Sequence, residues 1–277
     1  MAINPVLQEI VEYRGVEGLV AAKVLTDDDS SGYTTDTPFA IAGVAEISKT
    51  TDSSNEAHYY DNMPAVVVSS TSADEVTINT SAIPLDILAM MTGQNYDSVT
   101  GAFIEGPRDF NYFALGYKTK KTNGDEVYVW RYKGTFNIPD QTNATEDDGT
   151  DANGQEVVYT GISTTHKFSK TGKGAKAINV DVAKDLADVT NFFDSVVTPD
   201  SLTAKTHYTL TLSQAADTTL TVKRGSDTLA NGATINAGDV LTITCTGGTI
   251  TVNGTDFISG NMHVVTANTT VASTKSV

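Results

Sequence analysis

The chain has 277 residues, of which 39% are hydrophobic and 19% charged, with a formal net charge of −16. Residues 1–200 hold 14 Lys and Arg against 30 Asp and Glu, a difference of −16, whereas residues 201–277 hold 4 of each, so the whole imbalance lies in the first part. Phosphate contacts need Lys and Arg, so this weighs against a nucleic-acid-binding surface, and the single cysteine, Cys245, excludes an intramolecular disulfide framework.

In chain order, Gly18–Leu25 is apolar enough for a strand. Thr26–Thr37, with Asp27, Asp28 and Asp29, reads as a polar loop with nothing to bury. Phe39–Ser48 returns as a strand. Lys49–Met63 is a long polar stretch, and Ala65–Ser69 and Glu75–Thr80 read as a strand pair joined by a Ser/Thr/Asp turn. Pro84–Gly93 predicts a short helix, with Pro at its first turn, Gly past its last, and an apolar stripe of Leu85, Ile87, Leu88 and Met91.

The densest signal runs from Tyr112 to Phe168. Tyr112–Lys120, the Asn123-Gly124 turn and Glu126–Ile138 predict a hairpin, because Asn-Gly supplies the positive φ of a tight turn. Alternation places Tyr128, Trp130, Tyr132, Phe136 and Ile138 on a core face, and Val127, Val129, Arg131, Lys133, Thr135 and Asn137 on the other. After the acidic loop Asp140–Gln155, the segment Glu156–Phe168 alternates with Val158, Ile162 and Phe168 on one side. Asp181–Val196 predicts a second helix, capped by Asp181, with Val182, Leu186, Val189, Phe193 and Val196 three and four apart.

Past Pro199 the composition shifts to Thr-rich and nearly uncharged. Tyr208–Leu212, Thr219–Lys223, Asp239–Thr244, Thr249–Val252, Thr255–Ile258 and His263–Val265 alternate with turn pairs such as Asn231-Gly232 and Asn253-Gly254, which predicts a small β-sandwich. The expected organisation is a domain over 1–200, a linker at 201–205 and a second domain over 206–277. The expected fold class is mainly β.

No catalytic constellation stands out. The four histidines are scattered, no nucleophile elbow or phosphate loop is present, and Lys170–Gly174 lacks Walker spacing and reads as a turn. Glu146–Gly154 clusters oxygen donors without EF-hand spacing, so calcium binding and a solvated loop both stay open there. Cys245 lies in a strand pattern and reads as a packed residue. The reading is therefore no enzyme, no cofactor and no assigned metal. No apolar run is long enough for a bilayer and the start lacks signal-peptide regions, so folding in a cytoplasm without a membrane partner is expected.

In order, Gly43–Ser48, the loop with Tyr59-Tyr60-Asp61-Asn62, Ile83–Ala89 closed by Gly93, the Tyr117–Ile138 hairpin, the acidic loop, Val157–Phe168 and Phe192–Val196 make residues 1–200 resemble the major tail protein family of siphophages, the long non-contractile-tailed bacteriophages. The resemblance implies a structural virion protein assembled in the bacterial host cytoplasm, with a tube-forming β-sandwich or barrel and a flanking helix. It implies homo-hexameric rings stacked into a tail tube through which phage DNA passes during ejection without specific binding. It also implies partners: the tape-measure protein, a tail-tip initiator and a tail terminator. Under it, Lys49, Thr50, Asp52, Asn55, His58, Tyr59, Tyr60, Asp61 and Asn62 belong to a ring-stacking loop that folds on stacking. Asp27, Asp28, Asp29, Asp147, Asp148 and Asp151 are second-choice contacts. Without it, Lys49–Met63 is an ordinary surface loop. The C-terminal part looks like the immunoglobulin-like (Ig-like) domains that decorate some tubes, with host cell-surface glycans as an expected ligand class. The competing reading is a cell-surface adhesion protein that binds carbohydrate through that domain.

Overall fold

The structure, a computed structural model, describes residues 10–142 and 154–275 and divides into two compact units, Met1–Thr203 and Ala204–Val277. Both are mainly β. The first unit contains β1 (Tyr13–Asp28), β2 (Gly32–Thr35), β3 (Phe39–Ala40), β4 (Val44–Tyr60), β5 (Met63–Thr80), α1 (Leu85–Thr92), β6 (Asn95–Asp97), β7 (Ala102–Ile104), β8 (Phe113–Lys121), β9 (Glu126–Phe136), β10 (Asp140–Gln141), β11 (Gln155–Ile162) and β12 (Ala177–Asp181). The main sheet runs β2-β1-β8-β9-β11-β5-β4, and β12 pairs with the first half of β9 while β11 pairs with its end.

β8, β9 and β11 are successive antiparallel neighbours, as the alternation predicts. Trp130, Tyr132 and Phe136 of the predicted core face of β9 are buried, but they do not share one side and the opposite face is buried too. Phe113 pairs with Gly134 but Leu115 with Arg131, so β9 carries one extra residue, and a bulge reverses which side chains point inward beyond it. Trp130 and Tyr132 therefore pack with Ala114, Phe168, Val180, Phe192 and Val196 on one face, while Val127, Val129 and Phe136 join Leu19, Val76, Ile78, Leu115 and Tyr159 on the other. Both faces of β9 are core, and Ile138 is exposed. In β11 the inward residues are Val157 and Tyr159; Val158 is half-buried, Ile162 faces out, and Phe168 lies beyond the strand.

Several loop, strand and helix expectations are also corrected. Thr26–Thr37 is the tip and return of the β1–β2 hairpin. It does bury something: the Tyr33 hydroxyl donates to the Tyr132 carbonyl at 2.6 Å and its ring stacks edge-on against Tyr132 and Phe168. Lys49–Met63 is not a loop, because β4 and β5 pair from Val44↔Thr80 out to Tyr60↔Met63. The predicted Ser/Thr/Asp turn before Glu75 is absent, and β5 runs unbroken through it. Phe39–Ser48 is two strands, interrupted where the Ile41 N–H turns to the Leu19 carbonyl at 3.2 Å.

The predicted helix at 181–196 is replaced by the end of β12, a 3-10 turn at Val182–Lys184 and further turns. Asp185 takes a positive φ of 52°, which stops helical propagation, and the Asp188 carboxylate accepts from the Thr190 N–H at 3.1 Å in a local turn. Phe192 and Val196 are nevertheless buried, over the Trp130 face, while Leu186 is 67% exposed. The helix at 85–92 forms as predicted and ends at Gly93 with a left-handed φ of 70°. Leu88 and Met91 are buried; Leu85, placed on the stripe, is half-exposed.

The second unit contains β13 (His207–Ser213), β14 (Thr219–Arg224), β15 (Asp227–Leu229), β16 (Thr234–Asn236), β17 (Val240–Thr246), β18 (Gly248–Val252), β19 (Thr255–Phe257), β20 (Met262–Val264) and β21 (Thr269–Lys275). Two sheets, β16-β13-β21-β18-β19 and β15-β14-β17-β20, share one core that includes Leu210, Val222, Ile235, Leu241, Ile243, Ile250, Val252, Val265 and Val271. Cys245 is free and buried in it. β21 pairs parallel to β13 and antiparallel to β18, at the centre of its sheet. Its inward side chains are Thr269, Val271 and Ser273, and Ser273 is satisfied by Thr218 at 2.7 Å and the Ala215 N–H at 2.9 Å, so apolar periodicity does not reveal it.

Candidate assembly surface

β4 and β5 continue well past the body of the first unit. Every residue from Asp52 to Ser72 is exposed, on both faces of the ribbon. The tip is the two-residue turn Asp61-Asn62, with φ of 48° and 63°. Two successive positive φ angles are what a type I′ hairpin turn requires, and Asp and Asn tolerate them better than most residues. Seven of the nine first-choice contact residues lie on this arm, and Lys49 and Thr50 lie on β4 at its root. Lys49, Thr50, Asn55, His58, Tyr59 and Tyr60 pair with Val76, Glu75, Ser69, Val66, Pro64 and Met63; the Asp52 carbonyl accepts from the Ser72 hydroxyl at 3.0 Å; Asp61 and Asn62 form the turn.

The distal part of the arm is apolar on its return strand as well as at its tip. Tyr59, Tyr60, Met63, Val66, Val67 and Val68 are all between 50% and 67% exposed. A lone two-stranded ribbon is at best marginal in water, and successive side chains alternate between its faces, so both faces of the distal arm present apolar groups to solvent. β4 is also the last strand of its sheet, and among the described residues no strand pairs with its outer edge.

At its root the arm is clamped by Asp74, 4% exposed. One carboxylate oxygen meets the Arg131 Nη1 at 2.7 Å; the other accepts from the Thr51 hydroxyl at 2.8 Å and the Lys176 Nζ at 3.1 Å. Lys176 also donates to the Ser72 carbonyl. Burial alone would raise the Asp74 pKa, but the Thr51 hydroxyl, the Lys176 ammonium and the Arg131 guanidinium outweigh it and hold the carboxyl below the ordinary aspartate value. Reading the sequence did not single out Asp74, Arg131 or Lys176; Asp74 lies 57 residues from Arg131 and 102 from Lys176, and nothing local links it to either.

The second-choice aspartates at the β1–β2 tip are engaged within the chain. Asp27 holds the Lys133 Nζ at 2.5 Å and accepts from the Thr165 and His166 N–H groups at 2.9 Å. Asp28 accepts from Ser30 and Ser31, which holds its carboxyl down to about 2, and Asp29 pairs with Lys167 at 3.3 Å. Asp147, Asp148 and Asp151, and with them the calcium alternative at Glu146–Gly154, lie outside the described residues.

A concave feature lies on the body. Tyr13, Gly15 and Val16 of β1 and Ala45, Glu46, Ile47 and Lys49 of β4 wall a cleft of about 710 Å³, floored by Tyr117, Thr119, Val127, Val129 and Arg131. Four strands separate β1 from β4 in the sheet order, so the sheet curls to bring both to one opening.

Among the described residues no group of three or more His, Cys, Asp or Glu could hold a metal ion, and no helix is long and apolar enough to cross a membrane. No family model matches the sequence, and no curated protein matches it at a significant level.

Proposed function

We propose that the chain is a self-assembling structural protein, the major subunit of a siphophage-type tail tube, built of stacked hexameric rings around a lumen for DNA. The observation that carries the reading is the arm: a fully exposed hairpin with an apolar end, fixed at its root by a buried ion-pair cluster, whose outgoing strand is the last of its sheet and has no partner on its outer edge among the described residues. Monomeric proteins shorten, charge or cover such edges. A subunit that pairs its edge with a neighbour and lays its arm on the next ring removes both liabilities at once. The acidic first unit suits a bore through which phosphate must slide without sticking. In this reading the tape-measure protein, initiator and terminator meet the tube at its bore and ends, and the second unit is an Ig-like decoration on the outside of the tail.

Electron microscopy of the full-length protein at rising concentration tests this. The expected result is rings or hollow tubes of uniform width with external knobs. A protein that stays monomeric alone, and that is absent from the tails of virions in its source lysate, overturns the reading.

A further inference from the structure

Three Asn-Gly pairs among the described residues lie in turns: Asn123-Gly124 between β8 and β9, Asn231-Gly232 between β15 and β16, and Asn253-Gly254 between β18 and β19. Asn153, which also precedes a glycine, lies outside the described residues. All three pairs are exposed, and the glycines take positive φ angles of 92°, 83° and 81° in chain order. A glycine after an asparagine leaves the side-chain amide open to attack by the next backbone nitrogen, because no Cβ stands in the way. The pairs differ in what holds the two reacting groups.

The nucleophile is the glycine nitrogen. At the first pair its N–H donates to the Lys121 carbonyl at 3.0 Å, and at the second to the Leu210 carbonyl at 2.8 Å. The Gly254 N–H has no acceptor among the described residues, and nothing stands within 4 Å of where a Cβ on Gly254 would be. The electrophile is the asparagine Cγ. The Asn253 Oδ1 accepts from the Thr270 N–H at 2.7 Å, while the Asn253 N–H donates to the Thr270 carbonyl at 2.8 Å. An N–H held on that Oδ1 stabilises the negative charge that develops there as a tetrahedral intermediate forms. Asn231 has a comparable donor in the Leu212 N–H at 2.8 Å. Asn123 has a longer one in the Asp125 N–H at 3.1 Å, and its Nδ2 is also bound to the Asp125 carboxylate at 2.9 Å. Of the three described pairs, Asn253-Gly254 alone combines a polarised amide with a free nucleophile.

We propose that Asn253 is a site of spontaneous deamidation built into the β18–β19 turn. Solvent base removes the Gly254 N–H proton, the nitrogen bonds to the Asn253 Cγ, and Nδ2 leaves as ammonia, which closes a succinimide. Water then opens either carbonyl–nitrogen bond of the ring and yields aspartate or isoaspartate, so the net change is water in and ammonia out. Either product adds one negative charge to a unit whose Lys and Arg equal its Asp and Glu in number. Isoaspartate also lengthens the main chain by one methylene, in a turn that has only two residues between the paired Val252 and Thr255. It therefore loosens β19, the last strand of its sheet, and with it Phe257, which packs on the core. None of this depends on the tail-tube reading.

The test is to age full-length protein in mildly alkaline buffer, native and in urea, and to read each site by digestion and fragment-ion mass spectrometry. Native protein is expected to gain one mass unit at residue 253 about fivefold faster than at 123 or 231, since the other two glycines must first give up a hydrogen bond. In urea, where no turn survives, the three rates are expected to converge. The native rate at residue 253 should also climb with pH, because the attacking nitrogen must lose its proton. A native rate at 253 no higher than at 123 and 231 overturns the proposal. So does the same ranking in urea, which would trace the difference to sequence neighbours and not to the turn.

Discussion

Asp74 illustrates how one carboxylate sets the direction of a whole element. Asp74→Asn keeps the volume but removes the charge that Arg131 and Lys176 face. Leaving one partner of a buried pair uncompensated costs about 3–5 kcal/mol, so the variant is expected to unfold at markedly lower urea concentration than wild type. The carboxyl's folded pKa lies below its ordinary value, so its contribution is complete above about pH 4 and disappears as pH falls through the folded value. Wild-type midpoints measured between pH 7 and pH 2 should therefore converge on those of Asp74→Asn only at the acid end; a constant gap across the range would show that the charge is not what matters. Gly134 is a steric counterpart. A Cβ there would lie 2.3 Å from the Tyr159 ring and 2.5 Å from the Thr160 carbonyl oxygen, beside the β9 bulge. Gly134→Ala is expected to cost about 1–3 kcal/mol in denaturant melts, since neither a buried ring nor backbone can give way freely.

At the scale of elements, the arm is the part of the fold that local sequence hid most completely. Alternation reports a strand only when one face is buried and the other wet, and from Asp52 to Ser72 both faces are exposed. A run of Thr, Ser, Asp and Asn in such a ribbon looks like a loop. The β-branched run Val66-Val67-Val68 does read as a strand, within Ala65–Ser69, and it pairs with Glu56–His58 as part of β5; the cue left over was Asp61-Asn62, a pair suited to positive φ. Replacing 52–72 by a short Asn-Gly turn should leave the thermal midpoint within a few degrees of wild type, because none of the core residues lies in the deleted stretch. The same deletion should abolish rings and tubes in micrographs. Tubes formed by the deletion variant would remove the arm from the assembly reading. The 181–196 segment shows the opposite error: apolar residues at helical spacing that pack over Trp130 and Tyr132 from a series of turns, because Asp185 and Asp188 favour turns over helix.

For the whole molecule, each unit has a core of its own. The second draws on both of its sheets for eleven buried apolar side chains, Leu210 to Val271. Residues 204–277 expressed alone are expected to unfold cooperatively, with dispersed amide resonances before the transition. At about 70 residues such a unit is near the lower size limit for independent folding, so its midpoint should be modest. A chain ending at Thr203 should still assemble if the second unit only decorates the exterior.

The β-rich class, the β8–β9 hairpin through Asn-Gly, the short helix closed by Gly93, most strands of the second unit and the placement of the acidic excess before residue 200 were all legible before any fold was known. Each of these is written in local turn chemistry, period-two burial or composition. The three-dimensional packing alone settled that both faces of β9 are buried and which face of β11 points inward, because alternation gives two faces and not what covers each. It also decided that Asp52–Ser72 is a standing hairpin, because its pairing is long-range and its root is held by Arg131 and Lys176, 57 and 102 residues away from Asp74. The cleft that faces Arg131 exists for the same reason: it forms only when the sheet curls and brings β1 and β4, four strands apart, to one opening.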